Sequence, residues 1–206
     1  MINLNGIKKT FGEKTILSNF SVKIQDKEFV SIVGKSGSGK TTALNIMGLL
    51  EEPDEGDIEI LGHLNPNEKI KLNLRRQHLG FIFQNFVLID NETVEQNLLL
   101  SSVYKETFSK KQLPEALELV GLDHSYLNKK IFQLSGGEQQ RIAIARIILK
   151  PCNIIFADEP TGNLDDYNKN IILSLFYKLK DMGKTIVCVT HDKNIAKGSD
   201  RIIEIG

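Results

Sequence analysis

Two glycine-rich segments about a hundred residues apart carry residue types that handle anions. The first is Gly34-Lys35-Ser36-Gly37-Ser38-Gly39-Lys40-Thr41-Thr42, which fits the phosphate-loop pattern GxxxxGK[ST]. Glycine lets backbone N–H groups approach phosphate oxygens closely, and a helix opening at Lys40 adds its positive dipole end. Lys40 supplies a point charge for the β- and γ-phosphates, and Thr41 a hydroxyl for Mg²⁺. The second segment is Leu134-Ser135-Gly136-Gly137-Glu138-Gln139-Gln140-Arg141. Ser135 is a good helix N-cap, and Gly136 and Gly137 expose N–H groups at a helix start, which makes a second anion site. Shortly after the second segment comes an apolar run ending in Asp158-Glu159. A carboxylate at the end of a buried strand lies where ligands of open α/β sheets bind. Asp158 suits a Mg²⁺ ligand, and Glu159 suits a base that orients attacking water.

The elements that must hold these groups follow from the apolar pattern. Residues 2–10, 16–24 and 29–33 read as short strands with turns between them, and the last leads into the glycine loop. Residues 41–50 read as a helix that Pro53 stops from continuing, and 57–61 and 79–83 as strands. From 93 to 130 the apolar spacing turns helical, as at Val94, Asn97, Leu98 and Ser101 and again at Leu113, Leu117 and Val120. A buried helix over 135–149 follows. Strands over 153–157, 185–190 and 201–205 then alternate with helices over 169–180 and 194–197. The expected fold is α/β: one domain over 1–206 with a mostly parallel sheet, an N-terminal antiparallel strand region and an inserted helical subdomain over about 88–135.

Composition narrows the partners. The 206 residues carry 26 basic and 26 acidic side chains, so total charge gives no reason to expect nucleic acid. Charged residues interrupt every apolar stretch, and residues 1–10 show no signal-peptide core, so the chain is expected in the cytosol. A membrane role would need a spanning part from another chain. Cys152 and Cys188, both in apolar strand-like contexts, read as buried free thiols. The end at Gly206, after the last strand, is expected to leave no C-terminal regulatory domain.

In this order, the phosphate loop, Leu134 to Arg141 and Asp158-Glu159 resemble the ATP-binding cassette of ABC transporters, over nearly the whole chain. The second glycine segment is similar to the signature sequence of that family. The resemblance implies an ATPase with ATP and Mg²⁺ as cofactors. It also implies a head-to-tail homodimer in the ATP-bound state, in which Ser135 to Glu138 of one protomer close on the γ-phosphate held by the other. It further implies that Gln84 senses Mg²⁺ and water, that His191 reaches the γ-phosphate, and that Asn163-Leu164-Asp165 crosses the dimer. Phe11 occupies the place of an aromatic residue that stacks on adenine. An integral membrane permease is the implied partner, on the cytoplasmic face of the membrane. The apolar cluster Phe86-Val87-Leu88-Ile89, with the helix start near 94–100, resembles the region that receives a short helix of that permease; Phe86 or Leu88 is expected in the groove. Segments 80–90 and 157–165 resemble lipoprotein-release, macrolide-export and antimicrobial-peptide-export ATPases most. They also resemble the ATPase of the cell-division complex, which transmits force to cell-wall hydrolases. A soluble, non-transport ABC ATPase is a third reading, opposed by the lack of a second cassette or sustained heptads.

Overall fold

The computed structural model describes residues 2–103 and 107–206. Met1, and 104–106 within the expected helical subdomain, lie outside the described residues. The described residues form two sheets. β1 (Ile2–Phe11), β2 (Lys14–Ile24), β4 (Glu55–Ile60) and β5 (His63–Leu64) make an antiparallel sheet in the order β2-β1-β4-β5. β3 (Phe29–Val33), β6 (Leu79–Phe83), β7 (Ile154–Asp158), β8 (Thr185–Val189) and β9 (Arg201–Glu204) make a parallel sheet in the order β6-β7-β8-β3-β9.

Alternation along the parallel strands splits the core in two. Phe29, Ile82, Ile155, Ala157, Ile186 and Cys188 face α3 (Val94–Ser102), α4 (Gln112–Leu119), α5 (Gly136–Leu149) and α6 (Asp166–Asp181). Val30, Ile32, Ile154, Phe156, Val187 and Val189 face α1 (Lys40–Met47), α2 (Glu68–Gln77) and the antiparallel sheet. In β1 the inward set changes step, from Ile2 and Leu4 to Ile7, where Gly6 takes φ +62° beside register shifts on both neighbours. That bulge keeps the strand's apolar side on the core as it bends.

The expected architecture holds: a mostly parallel sheet, N-terminal antiparallel strands and helical insertions. Its boundaries shift. α1 stops at Met47, before Pro53: Leu49 takes φ +58° and the Leu50 N–H turns back to the carbonyl of Asn45 at 2.8 Å. The N–H of Gly48 caps the carbonyl of Leu44. α2, β5 and α7 (Lys193–Gly198) add to or extend the elements read from sequence. Cys152 precedes β7 rather than lying in a strand, Cys188 lies in β8, and both are buried free thiols whose burial raises them above the ordinary range.

Candidate active site

The parallel strands end side by side. Phe83 pairs with Asp158, Asp158 with Val189, and Ile32 with Val189, so whatever follows β6, β7, β8 and β3 converges on one edge. Gln84, Glu159, Thr190-His191 and the loop from Gly34 are those continuations. An open cleft of about 460 Å³ lies there, lined by Ser36, Gly37, Lys40, Thr41, Gln84, Glu159, Gly162 and His191.

The loop is built around close backbone approach. At Gly34 (φ +152°) a Cβ would sit 2.0 Å from the carbonyl oxygen of Ile205, and at Gly39 (φ +95°) 2.9 Å from Ile16. Only glycine fits either place. The Lys40 side chain folds back into its own loop, where Nζ donates to the carbonyls of Gly34 at 3.0 Å and Lys35 at 2.8 Å. It is only 6% exposed and meets no carboxylate in those contacts. Ser38 Oγ is buried without a hydrogen-bond partner among the described residues. A buried ammonium resting on carbonyls and an orphan hydroxyl fit a loop built for an anion. The loop's second hollow, about 230 Å³, shares Gly37, Lys40 and Thr41 with the cleft and adds Phe11, Lys14, Ile16 and Thr42. Phe11 is 51% exposed, with Lys9 Nζ 5.2 Å from its ring centroid.

At the end of β7 the two carboxylates part. Thr41 Oγ1 donates to Asp158 Oδ1 at 3.1 Å. Burial raises the Asp158 carboxyl above the ordinary aspartate range, against the opposing pull of Thr41 and Lys40. Glu159 takes φ +45°, a costly conformation for a side chain of its size, fixed by its N–H on the carbonyl of Val189 at 2.9 Å. Its carboxylate accepts from the His191 N–H at 3.1 Å and meets His191 Nε2 at 3.3 Å. Gln84 Nε2 donates to Asn163 Oδ1 at 3.3 Å, and Gly162 leaves room for it, since a Cβ there would fall 2.8 Å from that nitrogen. Among the described residues no cluster of three or more His, Cys, Asp or Glu could hold a metal alone. Thr41, Gln84 and Asp158 do fit Mg²⁺, which keeps waters and binds through one carboxylate plus phosphates.

The residues 135–138 stand apart: none lines the cleft of its own chain. Ser135 caps α5, accepting from the Glu138 N–H at 3.3 Å, and Glu138 accepts from the Ser135 N–H at 2.8 Å. Burial works against the Glu138 charge, but hydrogen bonds from Tyr126 and Ser135 outweigh it and hold the carboxyl below its usual range. Gly136 is exposed, whereas Gly137 is buried under α6, where a Cβ would lie 2.2 Å from Asn168 Oδ1.

In the apolar segment after Gln84, Val87 and Ile89 are exposed. Leu88 packs onto the core, and Phe86 is half-buried, its ring 3.7 Å from where a Gly136 Cβ would stand. The hollow on this side, about 240 Å³, is lined by Phe81, Phe83, Leu100, Ser101, Arg146, Ile147 and Lys150. Arg146 escaped the sequence reading. Its guanidinium donates to the carbonyls of Val87 at 2.6 Å and Phe86 at 3.3 Å, residues that both take positive φ. A lone arginine in the apolar run of α5 was the available signal.

A glycine loop between β3 and α1, with paired carboxylates on the next strand but one, defines a phosphate-loop nucleoside-triphosphatase fold. The ABC transporter family model matches residues 17–162, and the chain belongs to that family. It is 42% identical, over its whole length, to the macrolide export ATP-binding/permease protein of Campylobacter jejuni, of which it spans about a third (33%). It is 40% identical to the lipoprotein-releasing system ATP-binding protein of Bacteroides thetaiotaomicron, covering all of this chain and 96% of that one. The dimeric structure of an ABC transporter cassette from Methanocaldococcus jannaschii superposes with a TM-score of 0.90 at 40% identity, over all of this chain and 94% of the other. A second dimeric structure of that cassette, in a post-hydrolysis state with ADP and phosphate, gives 0.89 at 39% identity, over 100% and 94%. Among the described residues no helix is long and apolar enough to cross a membrane.

Proposed function

We propose that this chain is the ATP-hydrolysing subunit or domain of an exporting ABC transporter, working at the cytoplasmic face of the membrane beside a permease. The observation that carries the reading is the convergence of Lys40, the Thr41–Asp158 pair, the Glu159–His191 pair and Gln84 on one cleft at the ends of adjacent strands. The similarity to export and lipoprotein-release proteins supports the direction of transport.

Phe11 stacks on the base, and Gly34 to Thr42 wrap the phosphates. Lys40 exchanges its two loop carbonyls for phosphate oxygens. Thr41, Asp158 and Gln84 would hold Mg²⁺, which when bound would supply positive charge beside the phosphates. Glu159 accepts a hydrogen bond from the attacking water and orients it, and His191, already against Glu159, steadies that carboxylate and reaches the γ-phosphate. Ser135 to Glu138 arrive from the second protomer.

Glu159→Gln tests the assignment. It should bind ATP yet hydrolyse it about two to four orders of magnitude more slowly. With hydrolysis blocked, ATP and Mg²⁺ should shift the protein to a dimer in size-exclusion chromatography. A monomer with near-normal turnover would sink the reading.

A further inference from the structure

Gln140 is fully buried, and neither its Oε1 nor its Nε2 has a hydrogen-bond partner among the described residues. A buried amide left unpaired costs about 1–3 kcal/mol, and a glutamine has both a donor and an acceptor end to satisfy. Its neighbour Gln139 shows the ordinary solution, donating to the carbonyls of Leu134 at 3.0 Å and Ile131 at 3.4 Å.

Helix geometry shows what Gln140 faces. In α5, positions 136, 140, 143 and 147 share one side at 100° per residue. The two ends of that side have known neighbours. Gly136 lies against Phe86 and Leu164, with distances of 3.7 and 3.9 Å from its notional Cβ. Ile147 lies against Gly80 of β6 at 3.3 Å from that residue's notional Cβ. Gly137, on the adjoining side, lies against Asn168 at the start of α6. Gln140 is one turn below both glycines and is rotated between them. Gln140 therefore stands on the face of α5 that looks toward the junction of three segments: the loop after β6 that carries Gln84, the loop 159–165 that carries Glu159 and Asn163, and the start of α5 itself. The first two already touch through Gln84 and Asn163 at 3.3 Å.

We infer that Gln140 is a positioning residue for ATP hydrolysis: its amide is unpaired in the resting chain and pairs with backbone of the loops 84–87 and 159–165 when the cleft closes on nucleotide. Gln140 is fully buried, so the bonds gained on closure count toward the closed state. In this way the helix that begins at Ser135 senses the two loops that hold Gln84 and Glu159. The inference rests on the proposed nucleotide-driven dimer.

The test replaces Gln140 by Leu, and separately by Met, which is unbranched and of similar length should Leu pack badly. Each is made alone and in the Glu159→Gln background. Without nucleotide, the melting temperature should stay level or rise, because an unpaired amide is removed. With ATP and Mg²⁺, the double variants should need roughly tenfold more ATP for half-maximal dimer than Glu159→Gln alone, the equivalent of one or two lost hydrogen bonds. The single variants should lose kcat by a similar factor. A fall of several degrees in both variants without nucleotide means that the amide is paired at rest and overturns the inference. Dimerisation and kcat that ignore both substitutions overturn it as well. If Glu159→Gln with Gln140 intact forms no dimer with ATP, the proposed function fails, and the inference with it.

Discussion

At the level of single residues, the site works against the stability of the chain that holds it. Asp158 is the clearest case. Burial raises its carboxyl, so near neutral pH the folded protein holds a charge that the unfolded chain carries more cheaply. Because the folded pKa is raised, the folded state binds a proton where the unfolded state does not. The penalty is therefore present above the folded pKa and relieved as pH falls through it. Asp158→Asn removes the charge, while its amide oxygen still accepts from Thr41. The variant should melt higher than the parent near pH 7 by about 2–4 °C, for a gain on the order of 1 kcal/mol. Mg²⁺-dependent ATP hydrolysis should be lost. The difference in melting temperature should shrink as pH is lowered from 7 toward 4, and a scan of both proteins over that range checks it. A lower melting temperature for Asp158→Asn at pH 7 would mean that Lys40 and Thr41 stabilise the carboxylate more than burial opposes it. Glu159 makes a related point. Its type and place after Asp158 were legible in the sequence, but its left-handed backbone was not, because that conformation is imposed by the Val189 carbonyl on the next strand.

At the level of elements, legibility followed how much of each pattern was apolar. β3, β6, β7 and β8 are runs of buried side chains with few alternatives, and α5 is apolar around most of its girth, so each could be placed from residues alone. α2 could not, because Leu74 is its one buried side chain and its cap is an asparagine inside a polar stretch. β5, two exposed residues, has no pattern to read. The segment expected to meet the partner shows a different limit. Phe86 looked available because Gln84 and Asn85 break the strand before it, but Arg146, sixty positions later, pulls its carbonyl and that of Val87 toward α5. The exposed apolar surface of the expected region comprises Val87 and Ile89 of that segment and Leu100 on α3, the last across a hollow from Phe81 and Phe83. If the permease docks there, Leu100→Asp should cut its copurification from solubilised membranes at least tenfold. Leu100 is half-exposed, so melting temperature and the ATP affinity of the isolated chain should not change. Copurification equal to that of the parent would remove α3 from the contact.

On the scale of the whole molecule, the unsolved problem is a second anion site with nothing to hold. Ser135 and Gly136 are exposed at the head of α5, the capping box is complete, and none of residues 135–138 lines the cleft of its own chain. A head-to-tail dimer resolves this, because the helix start of one protomer then faces the phosphate loop of the other. A similar cassette is known as a dimer in two structures. That arrangement would make each hydrolytic site the property of two chains, and mixing can reveal it. Lys40→Ala damages the phosphate loop, and Ser135→Arg damages the opposing helix start. Losing the Ser135 cap costs about 1 kcal/mol, so that variant should still fold. Each homodimer then has two damaged sites. A heterodimer concentrates both lesions in one site and leaves the other composed of an intact loop and an intact helix start. Random pairing makes half of the dimers hetero, and each has one sound site of two, so mixing should restore up to roughly a quarter of parental ATPase activity. Differently tagged variants, pulled down through one tag and probed for the other, show that heterodimers have formed. If they have, and turnover stays at the level of the separate variants, residues 135–138 do not act across the dimer and the second anion site needs another ligand.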